Sequence, residues 1–113
     1  MEGEYIMKFS EYQNYVKDGA SEKYKDIKFA ALALVGEVGE VCDVIKKATI
    51  YTDGDDQACF VAKIKDELGD VLWQWTALAS VFDLSVEEII DYNVEKLNKR
   101  HGGATLDLTG GKR

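Results

Sequence analysis

Proline is missing from all 113 residues of the chain. Proline interrupts helix interiors and marks turns in β-rich proteins, so its absence from a sequence rich in Ala, Leu, Glu, Lys and Val leads us to expect an all-α fold. Cysteine is nearly missing too. Cys42 and Cys59 are the only two and lack CxxC spacing, which argues against a disulfide framework or a cysteine-held zinc site and leaves both thiols reduced. One histidine, His101, is too few for a His-rich transition-metal centre or for the paired ExxH motifs of di-iron bundles. The longest apolar run, Phe29 to Val35, is far short of a membrane span, and the start MEGEYIMKF lacks a basic stretch followed by an apolar one. The expectation is a soluble, cytoplasmic protein with no membrane partner.

Positive charge is also scarce: 14 Lys and Arg against 21 Asp and Glu give a formal charge of −7. Gripping long nucleic acid rests on phosphate neutralisation by Lys and Arg, so that class of partner is disfavoured. A small phosphorylated ligand carried with a metal stays open. The length fits a single domain over 1–113, with a core of about 9–102 and a polar, mobile tail over 103–113.

Four helices are expected. Ser10 with Gln13 reads as a capping box for a first helix of about Glu11 to Lys17, closed by Asp18-Gly19. After a polar stretch, Leu34, Val38, Val41 and Ile45 recur at helical spacing in a second helix of about Ile27 to Ala48. Thr52 to Asp56 forms a turn and N-cap cluster without the ligand spacing, sixth-position glycine or closing Glu of an EF-hand. A third helix runs from about Asp56 to Phe82, broken by Asp83-Leu84. Ser85 and Glu88 form a capping box that starts the fourth at Val86, and Gly102-Gly103 stops it near His101.

Against this background the acids are out of place. Glu37 and Glu40 form an ExxE pair on the second helix, Glu67 and Asp70 an ExxD pair on the third, with 26 residues between the pairs. Residues three apart share a helix face, so each pair presents two carboxylates side by side. On a 100° wheel the apolar arc of the second helix, holding Leu34, Val35, Val38, Val41, Cys42 and Ile45, lies roughly 40° to 160° from Glu37, while Glu37 and Glu40 fall at roughly 0° and 300°. They sit at the margin of the expected core. Glu67 and Asp70 repeat the pattern, flanked by Phe60, Leu78 and Val81. Four carboxylates at such a margin repel and resist desolvation, a conflict that a bound cation resolves. Gly36, Gly39 and Gly69 each cost about 1 kcal/mol relative to alanine inside a helix, and each directly precedes one of these acids. That pattern fits a close helix crossing or the close approach of a ligand.

A single ExxE or ExxD is ordinarily a solvated helix face. Two such pairs on adjacent long helices, beside glycines, point instead to a metal site. Oxygen-only donors favour Mg²⁺, with Mn²⁺ as the other candidate, and Mg²⁺ commonly completes its shell with substrate phosphate oxygens. Asn93, Lys96 and Arg100 share a stripe on the fourth helix suited to phosphate binding, although cations are also favoured at any helix C-terminus. Lys47 and Lys63 share the acid faces of their helices and can equally pair with Asp43 and Glu67. Trp75 reads as core and Trp73 as a subunit contact, with Phe9, Tyr12, Phe29 and Tyr51 as further aromatic walls for a base.

The segments GEVGEVCDVIKK, KDELGDVLWQ and NVEKLNKRHGG together resemble the MazG-like, all-α nucleoside triphosphate pyrophosphohydrolases over about Phe9 to Gly102. The resemblance implies a four- to five-helix bundle completed by oligomerisation, as a homodimer or homotetramer. It implies Mg²⁺ held by Glu37, Glu40, Glu67 and Asp70, and hydrolysis of a nucleoside triphosphate to monophosphate and pyrophosphate in nucleotide-pool control or housecleaning. Glu37 or Glu40 would take the proton of the attacking water, and Asn93, Lys96 and Arg100 would hold the substrate. The alternatives from other classes are a non-catalytic helical regulator that binds nucleotides or a partner, and a metal-buffering bundle.

Overall fold

The computed structural model describes residues 6–50 and 57–101. Helix α1 spans Phe9–Gly19, a 3-10 turn Glu22–Lys25, α2 Ile27–Ile50, α3 Gln57–Val81 and α4 Val86–Arg100, and the described residues contain no strand. The all-α expectation holds. The Thr52 to Asp56 cluster, Tyr51, the Gly102-Gly103 stop and the tail lie outside the described residues.

Local chemistry sets the helix ends. The Lys8 N–H donates to Glu11 Oε1 at 2.7 Å, so α1 starts two residues before the Ser10–Gln13 reading placed it. Asp26 caps α2 by accepting from the Lys28 N–H at 2.9 Å. The Ser85 box is present in full: the Glu88 N–H reaches Ser85 Oγ at 3.0 Å, and the Ser85 N–H reaches Glu88 Oε1 at 2.7 Å. Helix α3 ends in a Schellman motif, with the Leu84 N–H on the Ala79 carbonyl at 3.1 Å and the Asp83 N–H on Ser80 at 3.0 Å. Asp83 takes the left-handed position, φ 58°, that glycine usually fills.

The buried residues gather at one end. Val16, Ala30, Ala77, Ala79 and Val86, with the polar Gln13 and Thr76, come from α1, the start of α2, the C-terminal half of α3 and the start of α4. Gln13 ties this end together. Its Nε2 donates to Ser80 Oγ and to the Leu84 carbonyl, both at 2.9 Å, and its Oε1 accepts from the Val86 N–H at 3.1 Å. A residue read as half of a helix cap is thus the polar clasp of the α1–α3–α4 corner.

Beyond that end, α2 and α3 pack along much of their length. Glu37 lies beside Glu67 and Asp70, while Lys47 faces Lys63, so the two helices run antiparallel. On the wheel used above, the face of α2 turned to α3 is centred on Glu37 itself, with Ala30, Ala33, Leu34, Val41 and Val44 within roughly 60°. Val35, Val38, Cys42 and Ile45, expected in the core, are instead exposed, Val35 to 66 %. With Leu32, 71 % exposed, they form a second, outward apolar face. Helix α3 matches it with exposed Val61, Leu68 and Leu72. Helix α4 packs on α1 rather than along this pair.

Candidate metal centre

Glu37 and Glu67 lie along the α2–α3 seam, so the two helices turn their carboxylates toward one another. One oxygen each from Glu37, Glu67 and Asp70 lie within 4.8 Å of one another. Glu37 and Glu67 are half-buried and Asp70 is exposed at the rim. Burial, then Asp70 and then Glu40, raise the Glu37 carboxyl above its ordinary value. Glu67 is raised by burial and by Asp66, Asp70, Glu40 and Glu37 in that order. Both shifts have the sign expected of acids crowded without a counter-charge. Glu40, exposed, stands outside the close trio yet near enough to act on two of its members.

The donor set fits a hard divalent cation: three carboxylates from two rigid helices, with no nitrogen or sulfur donor among the grouped side chains. The three glycines sharpen this. A Cβ built on Gly36, Gly39 or Gly69 would meet no described atom within 4 Å, so no close helix crossing among the described residues accounts for them. They border open space.

The other expected site residues are not gathered here. Asn93, Lys96 and Arg100 are exposed along α4, which packs on α1. Lys47 and Lys63 lie on the same two helices as the acids. Lys47 bonds Asp43 at 3.0 Å and senses Glu40 on its own helix and Lys63 across the seam. The Lys47 hydrogen bond in turn holds the Asp43 carboxyl below its ordinary value.

Of the aromatic walls, Tyr12 stands near the acids: burial, then the neighbouring Tyr15, then Asp70 raise its phenol. Its ring stacks on Tyr15 at 6.2 Å. Trp73 takes part in an intramolecular cluster, its ring edge-on to Tyr24 at 5.4 Å, and Tyr24 in turn meets Phe29 at 5.0 Å. The Tyr24 hydroxyl donates to Gln74 Oε1 at 2.8 Å. Spacing alone held no signal for this Tyr24–Gln74 bond, because the 3-10 turn carrying Tyr24 has no apolar period.

The sequence model of the MazG nucleotide pyrophosphohydrolase domain matches residues 26–104, which span the whole acid centre and all of α4. The chain belongs to the MazG family. It is similar to the Gene 37 protein of Mycobacterium phage L5, 27 % identical over 99 residues that cover 88 % of this chain and 87 % of that one. In fold it matches the crystal structure of iMazG from Vibrio DAT 722 with a TM-score of 0.63 at 24 % identity, over 83 % of this chain and 97 % of the other. The MazG-like all-α fold is therefore established. No described helix is long and apolar enough to cross a membrane.

Proposed function

We propose that this chain hydrolyses (deoxy)nucleoside triphosphates between the α- and β-phosphates, giving monophosphate and pyrophosphate, with Mg²⁺ or Mn²⁺ held by Glu37, Glu67 and Asp70. The observation that carries the reading is the approach of those three carboxylates within 4.8 Å, inside the segment that matches the MazG domain. The metal would supply charge neutralisation at phosphate oxygens and a water of lowered pKa. Glu40, left outside the trio, is the carboxylate available to accept the proton of the attacking water and also to lend a further ligand. Lys47, on the same helix pair, can meet a phosphate if its hold on Asp43 is exchanged.

The apolar outer face of α2 and α3 supports a second part of the proposal. Leu32, Val35, Val38, Ile45, Val61, Leu68 and Leu72 are too many large side chains on one surface to be left to water, and a second copy of the same helix pair would cover them. Asn93, Lys96 and Arg100 then have a route to phosphate that their own chain does not give them, from the α4 of a neighbouring copy. The setting is nucleotide-pool control or housecleaning in the cytoplasm.

The test is product analysis with a panel of nucleoside triphosphates and Mg²⁺. Monophosphate and pyrophosphate, lost in Glu40→Gln and in Glu67→Gln, support the proposal. No turnover of any triphosphate, or release of diphosphate and orthophosphate, overturns it.

A further inference from the structure

The acid centre has a long axis. On α3, Lys63, Glu67, Asp70 and Gln74 follow one another at steps of four, three and four residues, so they fall within roughly 60° of each other and make a stripe about 16 Å long. The stripe changes character along its length. A cation stands one turn before the carboxylates, where Lys47 faces Lys63 from α2, and a neutral carboxamide stands one turn after them. An extended nucleoside triphosphate is of comparable length and has a matching polarity: dense negative charge at the β- and γ-phosphates, then the α-phosphate, then a neutral nucleoside.

The carboxamide is fixed rather than loose. Gln74 Oε1 accepts from the Tyr24 hydroxyl at 2.8 Å, and the Tyr24 ring is itself held edge-on by Trp73 at 5.4 Å and Phe29 at 5.0 Å. With its oxygen committed, Gln74 offers the two N–H donors of Nε2. No described residue accepts from them, and Nε2 is not buried, so these donors open outward beside the acids.

We propose that Gln74 holds the nucleoside: Nε2 donates to an oxygen of the sugar or the base, while the triphosphate runs from there across the acids toward Lys63 and Lys47. This inference rests on the triphosphate reading above and adds the nucleoside contact and the direction of the substrate. The reverse direction would set the β- and γ-phosphates against an amide and leave two ammonium groups beside a neutral nucleoside. Tyr24 is a positioning residue that acts through Gln74, because a donor already held in place loses less freedom when the ligand binds.

The test is equilibrium binding in Mg²⁺ of the tightest of the four α,β-methylene deoxynucleoside triphosphates, of deoxyribose 5′-triphosphate, which lacks a base, and of inorganic tripolyphosphate, which lacks a nucleoside. Gln74→Leu should weaken the methylene analogue about tenfold, the scale of one hydrogen bond, and leave tripolyphosphate unchanged. Gln74→Glu keeps an oxygen for Tyr24 and removes only the donors, so it should show the same loss relative to tripolyphosphate. Tyr24→Phe should weaken the analogue less, and should add no loss to Gln74→Leu. A loss shared by deoxyribose 5′-triphosphate supports a contact to the sugar, and one confined to the analogue supports a contact to the base. Unchanged analogue binding in Gln74→Leu, an equal loss for tripolyphosphate, a further loss in the double variant, or no binding of the analogue to the wild type would overturn the inference. Turnover of any triphosphate to monophosphate and pyrophosphate would leave the proposed activity standing in each of those cases. Binding that depends on Gln74 without turnover would instead sink the activity and keep the contact.

Discussion

The two ends of this molecule solve opposite problems. At the α1–α3–α4 corner, polar groups are buried and every one is answered: Gln13 meets Ser80, Leu84 and Val86, and Thr76 Oγ1 donates to the Leu72 carbonyl at 2.8 Å. Along the α2–α3 arm, Glu37, Glu67 and Asp70 bring like charges together, and an apolar face is turned outward. The corner is finished within the chain. The arm carries the features on which the proposed cation, triphosphate and second helix pair rest. Satisfied polarity builds the fold, and polarity left unsatisfied marks where the proposed chemistry lies.

The sharpest way to break this contrast is to neutralise the arm. Glu67→Gln and Asp70→Asn should each lower Mg²⁺-dependent pyrophosphate release by about a hundredfold or more, the scale of removing one preorganised electrostatic contact to a transferring phosphoryl group. Both variants should melt no lower than the wild type in EDTA. A hundredfold loss accompanied by unfolding would show that the acids also hold the helices together, contrary to the division drawn here.

The reciprocal experiment acts on the corner. Gln13→Ala leaves a carbonyl, a hydroxyl and a backbone N–H without their partner, and should cost about 3 kcal/mol of stability, read from urea denaturation. The folded fraction should keep its specific activity. Activity falling faster than folded fraction would mean that α1 positions something at the acids, with Tyr12 the first residue to examine.

These two sites differ in how readable they were. The ExxE and ExxD spacing named Glu37, Glu40, Glu67 and Asp70, because three-residue spacing on a helix is itself geometry, and all but Glu40 fall in the close trio. The capping box at Ser85 was equally plain. Gln13 was misread, since its partners Ser80, Leu84 and Val86 lie some seventy residues away and no local rule reaches that far. The α2 wheel failed for another reason. Choosing the most apolar arc found the outward face of Val35, Val38 and Ile45, whereas the buried face is centred on an acid. A single-chain rule takes the greasiest side as the core, and that rule fails where a helix carries two apolar faces. Asn93, Lys96 and Arg100 share a face as expected, but spacing within α4 does not say what α4 packs on.

The outward face gives a third prediction. Leu32→Glu combined with Leu68→Glu should convert an oligomer to a monomer in sedimentation or light scattering, because charge at the middle of such a surface is left desolvated and unpaired. If Asn93, Lys96 and Arg100 act from a neighbouring copy, activity should fall with it. A wild-type chain that is monomeric at high concentration would remove this part of the proposal.

A smaller effect tests how finished the corner is. Asp83 holds the left-handed position of the Schellman motif, where glycine avoids the steric cost of a side chain. Asp83→Gly should be neutral or stabilise by up to about 1 kcal/mol, since relief of that cost competes with the greater freedom glycine gives the unfolded chain. A loss of stability would mean that the Asp83 side chain contributes more than its backbone angle costs.

The smallest effect is the one most specific to the arm. Glu37 and Glu67 both hold protons more tightly in the folded chain than their ordinary carboxyl value of 4.5. Over the window above that value the metal-free folded state therefore binds more protons than the unfolded state, and stability must fall as pH rises through it. The sign is opposite to that of a salt-bridged carboxylate such as Asp43, whose lowered value stabilises the fold at neutral pH and is lost in acid. In EDTA, Glu37→Gln should thus flatten the decline in melting temperature as pH rises above that value, and saturating Mg²⁺ should do the same in the wild type by supplying a counter-charge. Asp43→Asn should leave that decline in place. A metal-free wild type whose stability does not fall over this range would show that the carboxylates relax apart, and that the crowding of Glu37, Glu67 and Asp70 needs the cation to hold it.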